Sequence, residues 1–155
     1  MNPLHNVAVV LFACFGLSLL SGFVPWVSGE VIVLSCAALL HSPIALTALA
    51  LAATAGQLLG GSVLYWVGFR AGRLNVARTG RLARWRERLH DGRGRAFALV
   101  FVSSAASIPP MCLMTIAAGT SGMGFSRFAG AASCGLFVRF AVLAFCPAIV
   151  AGILR

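Results

Sequence analysis

The sequence predicts an all-α polytopic membrane protein: two re-entrant helical hairpins plus transmembrane helices, in an inverted-repeat arrangement. Three observations carry this expectation. The 155 residues are 60% hydrophobic and 10% charged, with a mean hydropathy of +0.97, whereas soluble domains average about 45–50% apolar and about 25% charged. Both halves of the chain contain an apolar segment broken by proline and glycine. The span that follows each break resembles its counterpart in the other half. A chain of this length cannot hide so much apolar surface in a soluble core. Lipid is then the solvent for most of it, with room for about three to five spans of about 20 residues.

Residues 4–24 read as a first helix. Leu4 to Leu20 is apolar apart from His5 and Asn6. There is no basic n-region and no small-x-small site followed by a polar mature domain, so this helix is expected to stay rather than be cleaved. It serves either as a full span or as the first limb of a hairpin. The pattern then breaks at Ser21, Gly22, Pro25 and Gly29 and resumes from Val31 to Leu40. That second run is about 15 Å long as a helix, half a bilayer. Residues 25–41 are therefore expected to form a re-entrant limb, with Pro25 and Gly29 as its break. Such backbone is tolerated at membrane depth only where protein or a water-filled cavity surrounds it.

Residues 43–68 form a full span rich in small residues, "LALAATAGQLLGG". Gly56 and Gly60 make a G-x-x-x-G, which lets another helix approach closely. Gln57 is polar and is expected to face protein. Tyr65 and Trp66 suit an interfacial aromatic belt.

Residues 70–95 are a basic loop. The chain has 12 basic residues, all arginine, and Arg70, Arg73, Arg78, Arg81, Arg84, Arg86, Arg88, Arg93 and Arg95 all lie here, against Glu87 and Asp91. A pI near 11.3 would suggest nucleic acid in a soluble protein. In a short loop between apolar segments the positive-inside rule explains it more simply and places the loop in the cytoplasm. No nucleic-acid partner is expected. Leu74, Leu82, Trp85 and Leu89 mark one face of a short surface helix that would lie on anionic headgroups. Arg70, Arg73 and Arg127 are expected at the membrane surface.

Residues 97–123 are apolar but contain "SSAAS" and then Pro109-Pro110. Adjacent prolines break a helix by ring clash and missing N–H groups. Phe97 to Ser107 and Met111 to Ala118 are each about half a bilayer long, which predicts a second re-entrant hairpin ended by Gly119, Gly122 and Gly124. Gly119 joins Gly56 and Gly60 as a helix-packing candidate. Residues 125–154 are the last span, with Arg127 at its start and Arg139 inside. "GGSVLYWV" lies on "GLFVRFAV", matching Gly60 to Gly135, Val63 to Val138, Tyr65 to Phe140 and Val67 to Val142. Corresponding broken helices in two halves point to an inverted-repeat transporter with its site between the breaks.

Two charges remain well inside apolar segments, Glu30 and Arg139. Each costs about 2.5–3.5 kcal/mol at the bilayer centre on insertion scales, so such residues usually face a cavity or each other. Glu30 lies near the start of a half-helix, where free N–H groups and the dipole favour an anion. Two readings follow. Either Glu30 sits in interfacial water while Arg139 snorkels or makes a static pair, or the two line a substrate and proton pathway with Gln57. In the second reading Arg139 attracts an anionic headgroup and Glu30 carries a proton.

Enzymatic chemistry has little to stand on. There is no H-E-x-x-H, no G-x-S-x-G and no pair of carboxylates in the membrane, and Ser103, Ser104 and Ser107 have no candidate base nearby. No catalytic residue is assigned. His5, His41 and His90 are scattered. Cys14, Cys36, Cys112, Cys134 and Cys146 form no C-x-x-C and are expected to be small buried hydrophobes. No metal site and no cofactor are expected.

"FVPWVSGEVIV", "GQLLGGSVLYWVGFRAGR" and "IPPMCLMTIAAGTSGMGFSRFAGAASCGLFVRF" together resemble the DedA superfamily, also called the VTT or SNARE-associated Golgi protein domain, and especially its small bacterial members. The likeness covers about Gly22 to Ala144. It implies two re-entrant hairpins in an inverted repeat, a multi-pass protein of the bacterial inner membrane, and movement of phospholipid or undecaprenyl phosphate across it, in bacteria often with proton dependence. Pro25 and Glu30 match the proline and acidic residue of the first hairpin. Gly60 and Arg70 match the "G…GR" of the next span, Pro109 or Pro110 with Gly119 the second hairpin, and Arg127 the arginine that opens the last span. Phe15 stands about where larger members carry a second carboxylate. "SSAASIPPMCL" lacks the two arginines of their F-x-x-R-F-x-P-x-x-R motif, so the headgroup-binding arginines are either missing here or replaced by Arg139. The expected function is flippase- or scramblase-like translocation of a lipid with a phosphate headgroup, with membrane lipids as partners and a homo-oligomer compatible with the sequence. A small-solute or ion transporter or channel, or a non-transporting assembly factor, is the alternative.

Overall fold

The computed structural model describes residues 3–24, 27–40, 42–73, 93–108 and 110–153. Pro25, Pro109, His41 and the stretch 74–92, with its expected surface helix, lie outside the described residues. Among those described are six helices and no strand: α1 (Pro3–Phe23), α2 (Gly29–Ala37), α3 (Pro43–Arg73), α4 (Arg93–Ala106), α5 (Met111–Thr120) and α6 (Phe125–Ile153). Three of them, α1, α3 and α6, are long and apolar enough to cross a membrane. Phe12, Ile44 and Ile108 are 79%, 82% and 76% exposed, an outward apolar surface that suits lipid rather than water. The protein is an all-helical, multi-pass membrane protein.

Local chemistry explains the helix ends. Pro3 and Pro43 each open a helix, where their fixed φ fits and no N–H is missed. Ser28 caps α2: its hydroxyl accepts from the Val31 N–H at 3.5 Å, and Glu30 stands in the first turn. α3 has 31 residues and runs past Gly68 to Arg73, while α4 begins at Arg93, so the basic segment is helical at both ends. Nothing between Gly68 and Arg73 breaks a helix, and intrahelical hydrogen bonds keep the backbone amides paired as the chain leaves the membrane. α5 ends in a Schellman motif. The Met123 N–H donates to the Ala118 carbonyl and the Gly122 N–H to the Gly119 carbonyl, both at 3.3 Å. Gly122 takes the left-handed φ of 73° that this closure requires.

The chain forms two compact units, residues 1–60 with 137–155, and residues 61–136. Each holds a pair of short-linked helices and part of both α3 and α6. In the first unit α1 and α2 pack together, and Ser21 Oγ lies 3.1 Å from where a Cβ on Gly29 would stand. A Cβ on Gly56 would overlap the Phe15 carbonyl, and one on Gly60 the Leu19 carbonyl. These two glycines are what allow α3 to lie against the backbone of α1. Cys14, Ser18, Val33, Ala37, Leu49, Ala53 and Phe140 are buried here.

In the second unit α4 packs on α5. Ser107, just past α4, holds a left-handed φ of 55° while its N–H donates to the Ser103 carbonyl at 2.8 Å. A Cβ on Gly135 of α6 would stand 2.5 Å from the Phe101 carbonyl oxygen of α4, and one on Gly119 of α5 would overlap the Tyr65 carbonyl of α3. Tyr65 is 2% exposed, not part of an interfacial belt. It stacks on Phe128 and meets Trp66, Phe69 and Phe125, and its hydroxyl donates to the Met123 carbonyl. Clustering the rings removes apolar area, and the carbonyl just past α5 satisfies the phenol. Trp66 stays half exposed.

Buried hydroxyls are satisfied within their own helices. Ser21 donates to the Ser18 carbonyl, Thr54 to Ala50 and Ser104 to Val100, the usual answer where water is absent. Ser21 and Gly22 therefore continue α1 and do not interrupt it. The cysteines differ from expectation: Cys14 is buried, Cys36 and Cys112 are intermediate, and Cys134 and Cys146 are exposed. A thiol facing lipid incurs little cost, so α6 can present two of them outward.

Candidate functional site: a carboxylate–guanidinium pair at the start of a short helix

The break after α1 lets α2 begin inside the first unit, with its N–H groups unpaired by any earlier turn. Ser28 turns its hydroxyl to this end, accepting from Val31 and donating to Glu30 Oε2 at 3.3 Å. Glu30 is then held by its other oxygen. Arg139 of α6 donates from Nη2 to Glu30 Oε1 across 109 positions of sequence. The Arg139 guanidinium carbon also lies 5.9 Å from the Phe140 ring centroid.

The two partners differ in exposure. The Arg139 side chain is 14% exposed and the Glu30 side chain 46%. The arginine is thus committed to the interior while the carboxylate keeps an open side. Beside them the α2 start is lined by polar groups. A Cβ on Gly29 would meet Ser21 Oγ at 3.1 Å, Gln57 Oε1 at 3.3 Å and Phe140 Cζ at 3.5 Å. Gln57 Oε1 is buried without a hydrogen-bond partner. An unpaired buried carbonyl costs roughly 1–3 kcal/mol, so this oxygen is an open acceptor next to a charged pair. Together these groups can bind an anion at Arg139, hold or release a proton at Glu30, and accept a hydrogen bond at Gln57.

Residues 17–148 match the family model of the VTT domain, the domain of the DedA and SNARE-associated Golgi protein family. The chain belongs to this family. No curated protein and no solved structure matches it. The matched stretch of the VTT domain contains Glu30, Gln57 and Arg139. Its family is regarded as transporter-like rather than enzymatic.

The VTT domain brings Glu30, Arg139, Gln57 and Gly29 together in one unit. Gly56 and Gly60 lie beside them on α3 as the contact with α1, while Gly119 serves the other unit. Pro110 precedes α5; Pro25 and Pro109 lie outside the described residues. Arg70 and Arg127 are exposed near one end of α3 and α6, and Arg73 closes α3. Sequence reasoning missed Ser28, Ser21 and Phe140. A serine just before a Gly-Glu pair was a legible N-cap signal. Ser21 and Phe140 carry none, since only the packing of α1 and α6 turns them to the α2 start.

Proposed function

We propose that this VTT domain moves a lipid with a phosphate headgroup across the bacterial inner membrane, flippase- or scramblase-like and linked to protons. The observation that carries the reading is the Arg139–Glu30 pair, in which a nearly buried guanidinium is held by a half-exposed carboxylate. Protonation of Glu30 releases Arg139. The freed planar fork then binds a phosphate in two places, as a lysine cannot. Loss of the proton restores the carboxylate, which displaces the phosphate. Gln57 Oε1 accepts a hydrogen bond from a headgroup hydroxyl or from the protonated carboxyl.

A re-entrant arrangement fits the lengths. α2 and α5 have 9 and 10 residues, about 14–15 Å each at the helical rise, half a bilayer. An inverted repeat fits the contacts within each unit. Gly60 backs onto the first helix of one pair and Gly135 onto the first helix of the other, and the two units divide just past these glycines.

Reconstitution in vesicles with fluorescent phospholipid and dithionite quenching tests this function. Glu30→Gln, matched for insertion, should lose nearly all transfer. Arg139→Ala should do the same, and Arg139→Lys should keep a fraction. Full transfer by Glu30→Gln would leave the site without its proton carrier. Ion or solute flux without lipid transfer would assign the same pair to a solute pathway instead.

A further inference from the structure

One end of the second unit gathers four helix termini, and exposed arginines stand there beside exposed rings. A Cβ on Gly68 would stand 2.5 Å from the Ile116 carbonyl oxygen, and one on Gly72 2.9 Å from that of Thr120. α3 and α5 therefore run parallel and finish level. α4 packs on α5 and joins it by a short link, so it runs the other way and begins at that end. α6 begins there too, since Phe125 stacks on Trp66 with ring centroids 6.0 Å apart. The apolar spans of α3 and α6 stop at Gly72 and start at Phe125, which makes this end a membrane face. Arg70 lies one turn outward of Trp66, and Arg127 two residues inward of Phe125. Arg95 stands at about the height of Arg127. Gly135 of α6 meets Phe101 and Ser104 of α4, eight residues past Arg127 and six to nine past Arg95. At the helical rise the arginines fall in a band about 9 Å tall, which a headgroup layer and the reach of an arginine side chain cover.

Arg70, Arg95 and Arg127 are all exposed, and Trp66 and Phe125 are 51% and 38% exposed. Among the described residues this unit has no aspartate or glutamate. Residues 74–92 carry five arginines against Glu87 and Asp91, so they add positive charge and cannot supply the missing anion. We propose that this end of the second unit is a binding surface for an anionic phospholipid. Its phosphate rests among Arg70, Arg95 and Arg127, and the upper part of an acyl chain lies on the Trp66–Phe125 shelf. The rings call for a lipid, since a soluble anion has nothing to place on them. The arginines call for net negative charge, since a zwitterionic headgroup brings its own cation beside the phosphate. One arginine near an anionic surface gives a preference of about fivefold. The lipid is held here and not moved, so nothing in this inference rests on transport or on the Arg139–Glu30 pair.

The test reads the lipid beside Trp66. Trp26→Phe and Trp85→Phe leave Trp66 as the one remaining tryptophan of three. This full chain is placed in vesicles of phosphatidylcholine mixed with phosphatidylglycerol, one or the other dibrominated, and fluorescence quenching gives the relative affinity of the two lipids at that ring. Phosphatidylglycerol should be preferred by about fivefold or more, and the preference should shrink at about 1 M salt, where charges are screened within about 3 Å. With Arg70→Gln, Arg95→Gln and Arg127→Gln together, it should fall to near one while both lipids still quench. Each single substitution should lower it in part, which keeps the test readable where the triple variant fails to fold. Three results would overturn the proposal. Equal quenching by the two lipids in the chain with all its arginines would leave a surface without selectivity. No quenching by either would take Trp66 out of the bilayer. An undiminished preference in the triple variant would assign the charge to residues 74–92 instead.

Discussion

The helix pairs α1–α2 and α4–α5 meet the two long helices through the same kind of contact, but only the first has a charged residue in the first turn of its short helix. Gly60 lets α3 touch the backbone of α1, and Gly135 lets α6 touch that of α4. Five residues beyond each glycine stand Tyr65, whose carbonyl meets Gly119 of α5, and Phe140, whose ring meets Gly29 of α2. The frames agree to this level. They diverge at the preceding residue, where the first unit has Arg139 and the second Leu64, and at the second residue of the short helix, Glu30 against Cys112. Ser28 caps α2 with its side chain, whereas Pro110 offers α5 no side-chain cap. At this level the second unit has a cluster of five rings around the buried Tyr65 and Phe128, tied by the Tyr65 hydroxyl. Glycines against carbonyls make the frame, and among the described residues the ion pair is an addition of the first unit.

Leu64→Arg tries to give the second unit the first unit's charge. With Cys112 where Glu30 would be, the new guanidinium has no carboxylate, and the loss should approach the ~3 kcal/mol of an unpaired charge in the membrane. Steric-trap or denaturant unfolding in bicelles measures it; unchanged stability would mean the second frame is already polar, and the contrast would fail. Gly60→Val and Gly135→Val test the likeness. Each puts a side chain onto a neighbouring carbonyl, and each should cost about 1–3 kcal/mol by overpacking, so their unfolding midpoints should fall together. A fall in only one would show that the two contacts do not support equivalent frames. Tyr65→Phe asks the least. It keeps the rings and removes one hydrogen bond, leaving the Met123 carbonyl unpaired, for about 1 kcal/mol. A larger loss would give the phenol a role beyond closing α5.

Much was legible because transfer to lipid is close to additive along a chain. Apolar run lengths showed α1, α3 and α6, and the proline and glycine breaks showed that α2 and α5 would be short. Glu30 and Arg139 stood out because nothing else inside an apolar run is charged. Glycine spacing marked Gly56 and Gly60 as places of close approach. None of these signals says which faces meet. That depends on the rotation and height of each helix, set by packing between segments far apart in sequence. Only the tertiary structure decided that Arg139 reaches Glu30 across 109 residues, that Gln57 Oε1 is left unpaired beside them, and that Tyr65 turns inward to Phe128 rather than out to an interface. Composition and periodicity are local sums, whereas a site is a coincidence of faces, and that coincidence exists only once the helices have packed.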